Sequence, residues 1–254
     1  MIPVLYDGSF DGLLTAIFEI YEYKLNDTVI MPNTDAVNSL FGKTHVAHTS
    51  TIKSERVWKK FQEKLSRNAV AQIYRSYLSE IKGIEDYIFR FVQYALKSKN
   101  PVENDYSNAD VLMLQQTSRK VHREKNRMEA FVRFQLTKDG LYYAVVQPDF
   151  NVLPLIIKHF KDRYADQRWL IYDTRRKYGL YYDLNEVTEV QMEFDVDSGN
   201  KQKLAIIHDE KEELYQTLWQ QYFASVNIKA RKNMKLHIKH MPRRYWKNLV
   251  EKKK

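Results

Sequence analysis

The stretch from Val121 to Phe160 constrains the fold more than any other part of the sequence, because several structural signals follow one another within it. Residues Met128–Leu136 alternate apolar or aromatic positions with polar ones, a pattern typical of a β-strand. Residues 138–140 (KDG) are typical of a turn, and residues 141–147 (LYYAVVQ) predict the returning strand. A helix with Pro154 in its first turn follows. We therefore predict a strand–turn–strand–helix unit at the centre of the fold.

The absence of cysteine narrows the possible chemistry. The chain has 254 residues, of which 44% are hydrophobic and none is cysteine. Disulfides, thiolate nucleophiles, zinc fingers and iron–sulfur ligation are thereby excluded, and a reducing compartment is indicated. The sequence has no apolar run of membrane-spanning length and no signal-peptide pattern, so we expect a cytoplasmic protein without membrane contact. We also expect no cofactor and no metal site.

The positive charge lies in one segment. The chain has a net charge of +9. Lys229–Lys254 holds eleven Lys and Arg residues against one acid, a local net charge of +10, whereas the other 228 residues hold 30 basic and 31 acidic residues. A basic segment attached to a nearly neutral domain indicates contact with a polyanion, and Tyr245 and Trp246 within it favour nucleic acid. A solvated basic tail is the alternative.

The N-terminus predicts a strand followed by a capped helix. Ile2–Tyr6 is a short apolar run, and Ser9 is placed to N-cap a helix over residues 10–23, whose apolar residues recur at helical spacing. Asp7, Ser9 and Asp11 stand at the end of the strand, where open α/β sheets bind substrates. We favour the interpretation that they form a capping turn without a substrate.

Residues 26–50 are polar and predict irregular structure. Residues 42–44 (GKT) resemble the end of a phosphate-binding loop, but that loop needs glycine where Val37 stands, so we reject it. His45 and His48 have no third ligand nearby in the sequence. We interpret them as loop surface rather than a zinc site.

The middle of the chain predicts three helical regions. The first begins at Ser54 and continues to Ile81, where Gly83 interrupts it, and the second covers Ile84–Ser98. The third begins at Ser107 and carries three arginines at spacing i, i+4 and i+8, which share one helix face. That face predicts either a phosphate-contacting surface or a solvated amphipathic helix. The three residues are Arg119, Arg123 and Arg127.

The C-terminal half completes the fold class. Predicted strands cover residues 168–173, 179–183, 190–196 and 203–207, and predicted helices cover residues 210–226 and a short stretch after Pro242. We predict an α+β fold with an N-terminal helical region packed on a mostly antiparallel β-sheet with C-terminal helices. We expect a single domain, 1–254, with a mainly helical half (1–105), a sheet-containing half (106–228) and the basic segment (229–254).

Four segments of the sequence resemble a bacterial family described as probable DNA metabolism proteins. They are YDGSFDGLLTAIFEIY (6–21), VHREKNRMEAFVRF (121–134), PDFNVLPLIIKHFKDRYADQRWLIYDTRRKYGLYYD (148–183) and MPRRYWKNLVE (241–251). The resemblance covers essentially the full length. Members are similar to the segment that precedes a uracil-DNA glycosylase domain in fused proteins, and free members accompany a radical-SAM protein with helix–hairpin–helix features. The resemblance implies a role in DNA repair or modification.

That resemblance supplies no catalytic residues. The family has a second histidine where this chain has Asn126, and often a histidine where it has Phe150, which leaves His122 and His159 in the matching segments. Since the chain has no cysteine, any radical-SAM cluster would belong to the partner protein.

We therefore predict a DNA-binding accessory protein in DNA repair or modification, acting with a radical-SAM or uracil-DNA glycosylase partner. Its predicted nucleic-acid contacts are Arg119, Arg123, Arg127, Lys229, Arg231, Lys232, Lys235, Arg243, Arg244, Tyr245, Trp246 and Lys247. One alternative is a nucleic-acid or nucleotide-processing enzyme, although no known motif links its candidate residues. Those candidates are Asp7, Asp11, His122, Glu124, Asp149 and Asp173. The other alternative is a protein-docking module that uses the N-terminal helices and makes no DNA contact.

Overall fold

A computed structural model describes residues 1–35, 44–191 and 234–252. The helices are α1 (Phe10–Glu22), α2 (Thr51–Lys64), α3 (Arg67–Tyr77), α4 (Ile84–Lys97), α5 (Ala109–Phe131), α6 (Leu153–Arg163) and α7 (Met234–His240). The strands are β1 (Ile2–Tyr6), β2 (Thr28–Pro32), β3 (His45–Val46), β4 (Gln135–Leu136), β5 (Tyr142–Val146), β6 (Trp169–Asp173), β7 (Tyr178–Tyr182) and β8 (Val187–Gln191). Short 3-10 helices cover Asn33–Asp35, Arg243–Asn248 and Val250–Lys252.

The chain divides into two compact units, Met1–His122 and Arg123–Lys254. The α+β fold class is confirmed. The expectation of a single domain stays a prediction. The predicted strand over 203–207 and helix over 210–226 lie outside the described residues, as do residues 42–43 of the rejected phosphate-binding loop.

The first unit is built around β1. This strand is the centre of a three-stranded parallel sheet with the order β2-β1-β3. Gly8, at φ +85°, turns the chain into α1, and Ser9 caps that helix by accepting a hydrogen bond from the Gly12 N–H at 2.9 Å. The strand and the capped helix are therefore as predicted. The apolar face of α1 is buried in a core that also includes residues of α2, α3 and α4.

The described parts of residues 26–50, which are 26–35 and 44–50, are more regular than predicted. Thr28–Pro32 pairs with β1 along its whole length, and a two-residue strand at His45–Val46 pairs with the other side of β1. The Asp86 carboxylate also accepts a hydrogen bond from the Ile30 N–H at 2.9 Å. The prediction of irregular structure was wrong because a short strand depends on a partner that is distant in sequence.

The predicted long helix that starts at Ser54 is two helices. The chain leaves the helical conformation at Leu65, and Ser66 then caps α3 by accepting a hydrogen bond from the Ala69 N–H at 3.1 Å. The break at Gly83 and the helix after it are confirmed, since Gly83 has φ +79° immediately before α4.

The second unit contains a mixed five-stranded sheet with the order β4-β5-β6-β7-β8. β5 and β6 are parallel and joined by α6, whereas the other three pairings are antiparallel. The turn at 138–140, the strand after it and the helix that carries Pro154 are confirmed. β8 begins at Val187 and is described only as far as Gln191, so most of the predicted 190–196 strand lies outside the described residues.

The predicted strand Met128–Leu136 was wrong over most of its length. α5 continues through Phe131, and only the last two residues of the prediction, β4, pair with β5. Val121, Glu124 and Met128 are buried at helical spacing, so one face of the helix is covered throughout this stretch. Tertiary burial therefore outweighs the local alternation of apolar and polar residues.

Aromatic residues fill the space between α6 and the sheet. Phe134 packs edge-to-face on Phe160 and Tyr164, with ring centroids 5.7 and 5.2 Å apart. Trp169 lies 6.2 Å from Phe160 and is fully buried. These contacts fix α6 on the sheet and thereby fix the loops at both of its ends.

The C-terminal segment, residues 234–252, is anchored in the second unit. Tyr245, Leu249 and Val250 are buried, and Arg133 pairs with Glu251 at 2.8 Å. The short helix predicted after Pro242 is present as a 3-10 helix. The described part of the basic tail is therefore ordered by an apolar anchor.

Candidate nucleic-acid interface

Two loops of the second unit meet at one edge of its sheet. Residues 147–152 follow the carboxyl end of β5, and residues 174–177 follow the carboxyl end of β6. Because β5 and β6 are parallel neighbours, both loops lie at the same edge, which we call the β5/β6 edge (residues 147–152 and 173–177). Ligands of α/β sheets commonly bind outside the carboxyl ends of parallel strands. The charged residues at this edge are therefore the main functional candidates.

Glu124 joins α5, this edge and the C-terminal segment. Its side chain is 1% exposed, and Oε1 accepts a hydrogen bond from the Asp149 N–H at 2.9 Å. Oε2 accepts hydrogen bonds from the Tyr245 hydroxyl at 2.5 Å and from Arg244 Nη2 at 3.1 Å, and lies 3.5 Å from Arg127 Nη1. A buried carboxylate is stable only with such partners. Glu124 therefore holds the C-terminal segment against the edge.

Tyr245 is an anchor rather than a stacking platform. Burial raises the pKa of Tyr245, and the hydrogen bond to Glu124 raises it further, so the hydroxyl stays protonated and donates. Its ring is packed 5.4 Å from the Phe131 ring and the residue is 4% exposed. A ring buried in this way offers no face to a nucleobase. Tyr245, one of the nucleic-acid contacts predicted from the sequence, therefore lies in the structure as a buried anchor of the C-terminal segment.

Three guanidinium groups contact Asp149. Its Oδ2 pairs with Arg244 Nη2 at 2.8 Å, and both side chains are partly exposed, 48% and 40%. Its backbone oxygen accepts hydrogen bonds from Arg175 Nη1 at 2.9 Å and from Arg176 Nη2 at 3.3 Å. Lys247 donates a hydrogen bond to Gln147 in the same loop. The loop after β5 is thus surrounded by cations.

Asp173 holds the turn that places two of these arginines. It is 0% exposed, its Oδ2 pairs with Arg176 Nη1 at 2.8 Å, and its Oδ1 accepts a hydrogen bond from the Arg175 N–H at 2.8 Å. The structure therefore brings together the catalytic candidates Glu124, Asp149 and Asp173, and each carboxylate has an arginine partner. Carboxylates that are paired with arginine side chains in this way suit a scaffold better than proton transfer.

The cations of the C-terminal segment surround Trp246. The Trp246 ring is half-buried, its Nε1–H donates to the Met241 carbonyl at 3.0 Å, and Arg243 and Lys252 lie 5.9 and 5.2 Å from the ring centroid. Four side chains of this segment are exposed cations without a carboxylate partner among the described residues. They are Lys235, Lys239, Arg243 and Lys247. Lys229, Arg231 and Lys232 lie outside the described residues.

The three arginines predicted on α5 differ in their surroundings. Arg119 and Arg123 are exposed, whereas Arg127 is half-buried beside Glu124. His122 is exposed on the same helix, and His159 Nδ1 lies 3.7 Å from Glu129. Arg127 therefore contributes to the anchor and offers less of its surface to a ligand than the other two arginines.

The candidates of the first unit form the capping turn. Asp7 Oδ1 accepts hydrogen bonds from the Ser9 N–H and hydroxyl at 2.9 and 2.6 Å, and Oδ2 accepts one from Thr49 at 2.7 Å. Partial burial opposes the ionisation of Asp7, but these hydrogen bonds outweigh it and lower its pKa. Asp11 is exposed in the first turn of α1. The capping interpretation agrees with this geometry.

Arg175 and Arg176 were not among the residues predicted from the sequence. Their signal was the basic turn TRRK after β6, which is visible in the sequence. The sequence did not show that this turn faces the loop after β5. The parallel pairing of β5 and β6 makes that contact, and the Thr174 N–H donates a hydrogen bond to the Val146 carbonyl at 3.1 Å where the two strands end.

Two further properties concern the described residues alone. Within 1–35, 44–191 and 234–252, no group of three or more His, Asp or Glu side chains is arranged to hold a metal ion. In the same ranges, no helix has both the length and the apolar character needed to cross a membrane.

The fold and this site define an α+β protein whose C-terminal unit carries an arginine-rich sheet edge and an anchored basic segment. The chain belongs to the family DUF4130, described as a domain of unknown function, which matches residues 82–251. That match includes the whole of the β5/β6 edge and nearly all of the described C-terminal segment. No curated protein matches the chain.

Proposed function

We propose that this protein binds DNA through its C-terminal segment and the β5/β6 edge, as an accessory to an enzyme partner. The observation that carries the proposal is that apolar side chains anchor residues 234–252 while several cationic side chains of the same segment remain exposed. Tyr245, Leu249 and Val250 anchor the segment, whereas Arg243 and three lysines stay exposed. Exposed cations on an anchored segment can neutralise backbone phosphates with little loss of chain entropy on binding.

The partner is the finer part of the proposal. The resemblance to probable DNA metabolism proteins supports a radical-SAM or uracil-DNA glycosylase protein as the enzyme, and a role in DNA repair or modification. The N-terminal helices would then provide the docking surface. We expect the tagged full chain to co-purify with such a protein from the native host. Absence of binding between the two proteins at micromolar concentration would argue against this assignment.

DNA binding is tested by fluorescence anisotropy with labelled single-stranded, duplex and uracil-containing oligonucleotides in a salt series. A quadruple Gln variant of Lys235, Lys239, Arg243 and Lys247 removes four exposed cations and leaves the buried anchor residues Tyr245, Leu249 and Val250 unchanged. The matched control is the quadruple Gln variant of Lys59, Lys64, Lys82 and Lys97, which removes the same charge from exposed positions of the first unit.

Each phosphate contact contributes about −0.7 to −0.9 to the slope of log affinity against log salt. We expect the C-terminal variant to make this negative slope shallower by about 2 to 4, and the control variant to leave it nearly unchanged. Absence of DNA affinity in the unmodified protein at low salt, or equal losses in both variants, would refute the proposal.

A catalytic role is the second candidate, favoured by the convergence of Glu124, Asp149 and Asp173 in one unit. The arginine partners of all three weigh against it. The test is incubation of end-labelled DNA with the protein and Mg²⁺, followed by gel analysis. We expect intact DNA, and products that disappear in the Asp149→Asn variant would establish an enzyme instead.

A further inference from the structure

We propose that the β5/β6 edge contains a specific binding position for a phosphate group of a nucleic-acid strand, formed by Arg175 and Arg244, and that Asp149 occupies it as an internal counter-ion when no strand is bound. This inference rests on the proposed function and deepens it. The inference distinguishes one specific phosphate-binding position from the non-specific electrostatic attraction between the basic segment and DNA.

Each of the two arginines has guanidinium N–H groups that make no hydrogen bond within the described residues. Arg175 is exposed, and its guanidinium makes one hydrogen bond within the described residues, to the backbone oxygen of Asp149. The Arg244 guanidinium makes two hydrogen bonds in that part of the chain, from Nη2 to Glu124 and to the Tyr245 hydroxyl, and the same Nη2 forms the ion pair with Asp149. Nε and Nη1 of Arg244 are therefore left to donate to a ligand, and a guanidinium suits the paired oxygens of a phosphate.

The position of both arginines is set before any ligand binds. The Asp173 carboxylate holds the turn that carries Arg175, through hydrogen bonds from the backbone N–H groups of Arg175 and Arg176. Glu124, which is 1% exposed, holds Arg244 from the other side. The buried carboxylates thus orient the cations in the folded protein, so little side-chain entropy remains to be lost when a ligand binds.

Asp149 is the group that a phosphate would displace. Its side chain is 48% exposed and its carboxylate lies 2.8 Å from Arg244. Asp149 is therefore a solvent-accessible anion at the position where the guanidinium would accept a phosphate of a nucleic acid. Carboxylate and phosphate compete for the same donors. Removal of the Asp149 charge should therefore strengthen phosphate binding, whereas a purely structural role predicts an unchanged or weakened affinity.

The test compares single substitutions with matched controls by anisotropy, using a labelled single-stranded oligonucleotide at fixed salt. Arg175→Gln is matched by Arg168→Gln. Arg168 is also exposed and also donates to the backbone oxygen of an aspartate, Asp139, but it precedes β6 at the opposite end of the sheet. Asp149→Asn is matched by Asp162→Asn, an exposed acid on α6. The melting temperature of every variant is measured to verify that it is folded.

We expect Arg175→Gln to weaken binding by about tenfold or more, as loss of a charge-assisted hydrogen bond does, and Arg168→Gln by about twofold or less. Asp149→Asn should strengthen binding by about three- to fivefold and Asp162→Asn by less than about twofold. Inorganic phosphate added as a competitor should weaken oligonucleotide binding to the Arg168→Gln variant more than to the Arg175→Gln variant.

The outcomes separate the two proposals. If the protein binds DNA with a salt slope that depends on the C-terminal segment, but Arg175→Gln matches Arg168→Gln, the phosphate position is refuted and the proposed function stands. Unchanged or weaker binding by the Asp149→Asn variant would likewise refute the phosphate position alone. If the unmodified protein binds no DNA, the proposed function fails and this inference fails with it.

Discussion

Replacement of Tyr245 by Phe tests whether the C-terminal segment is anchored by the hydrogen bond to Glu124. The substitution removes one oxygen and keeps the ring that packs on Phe131. The hydroxyl is the donor of a 2.5 Å hydrogen bond to a carboxylate that is 1% exposed, and Tyr245 itself is 4% exposed. Hydrogen bonds to charged groups contribute about 1.5–3 kcal/mol, so we expect the free energy of unfolding to fall by about that amount.

The assay is urea denaturation followed by circular dichroism, with Tyr164→Phe as the control. Tyr164 stacks on Phe160 in the same unit, and its hydroxyl has no hydrogen-bond partner among the described residues. The control should change stability by less than about 0.5 kcal/mol. Equal effects of the two substitutions, or a loss below about 0.5 kcal/mol for Tyr245→Phe, would refute the anchor.

Three further predictions concern the first unit. Ser66→Ala should lower the free energy of unfolding, measured by urea denaturation, by about 1 kcal/mol, because Ser66 caps α3. Ser50→Ala should lower it much less, because the Ser50 side chain makes no capping hydrogen bond to α2, and equal losses would contradict the Ser66 cap. Gly12→Ala should cost about 1–3 kcal/mol in the same assay, because its Cβ would overlap the Asp7 carboxylate; an unchanged stability would contradict this packing. Partial burial opposes the ionisation of Glu19, but hydrogen bonds from lysine and histidine neighbours lower its pKa. The Glu19 carboxylate therefore stabilises the fold above its ordinary pKa of 4.5 and loses that effect as the pH falls through the lowered pKa. In acid titrations followed by circular dichroism, the Glu19→Gln variant should lose less stability over this pH range than the unmodified protein. Parallel stability curves for the two proteins would contradict the prediction.

The elements that could be predicted are those whose signals are local. The Ser9 cap, the turn before β5 and the helix that carries Pro154 each depend on residues within one or two turns of the chain, and each prediction is confirmed. The basic segment was equally visible, because charge is a property of composition. Its attraction for DNA stays a prediction.

Two of the incorrect predictions, those for β2 and for the end of α5, share one cause. β2 was not predicted because it is short and gains its stability by pairing with β1. The C-terminal part of α5 was predicted as a strand because its local alternation is real, but burial of one helix face, including Glu124 and Met128, decides the conformation. In both cases the deciding interaction comes from residues outside the local pattern.

The sequence by itself determined the α+β class, the capped helix α1 and the presence of a strongly basic segment, since these follow from periodicity, turn chemistry and charge. Only the tertiary structure decided the site. Glu124 and Tyr245 are separated by 121 positions, and their hydrogen bond exists because the C-terminal segment packs back on the second unit. The parallel pairing of β5 and β6 likewise brings Arg175 to Asp149. Such contacts depend on which surfaces bury one another, and no local pattern encodes that choice.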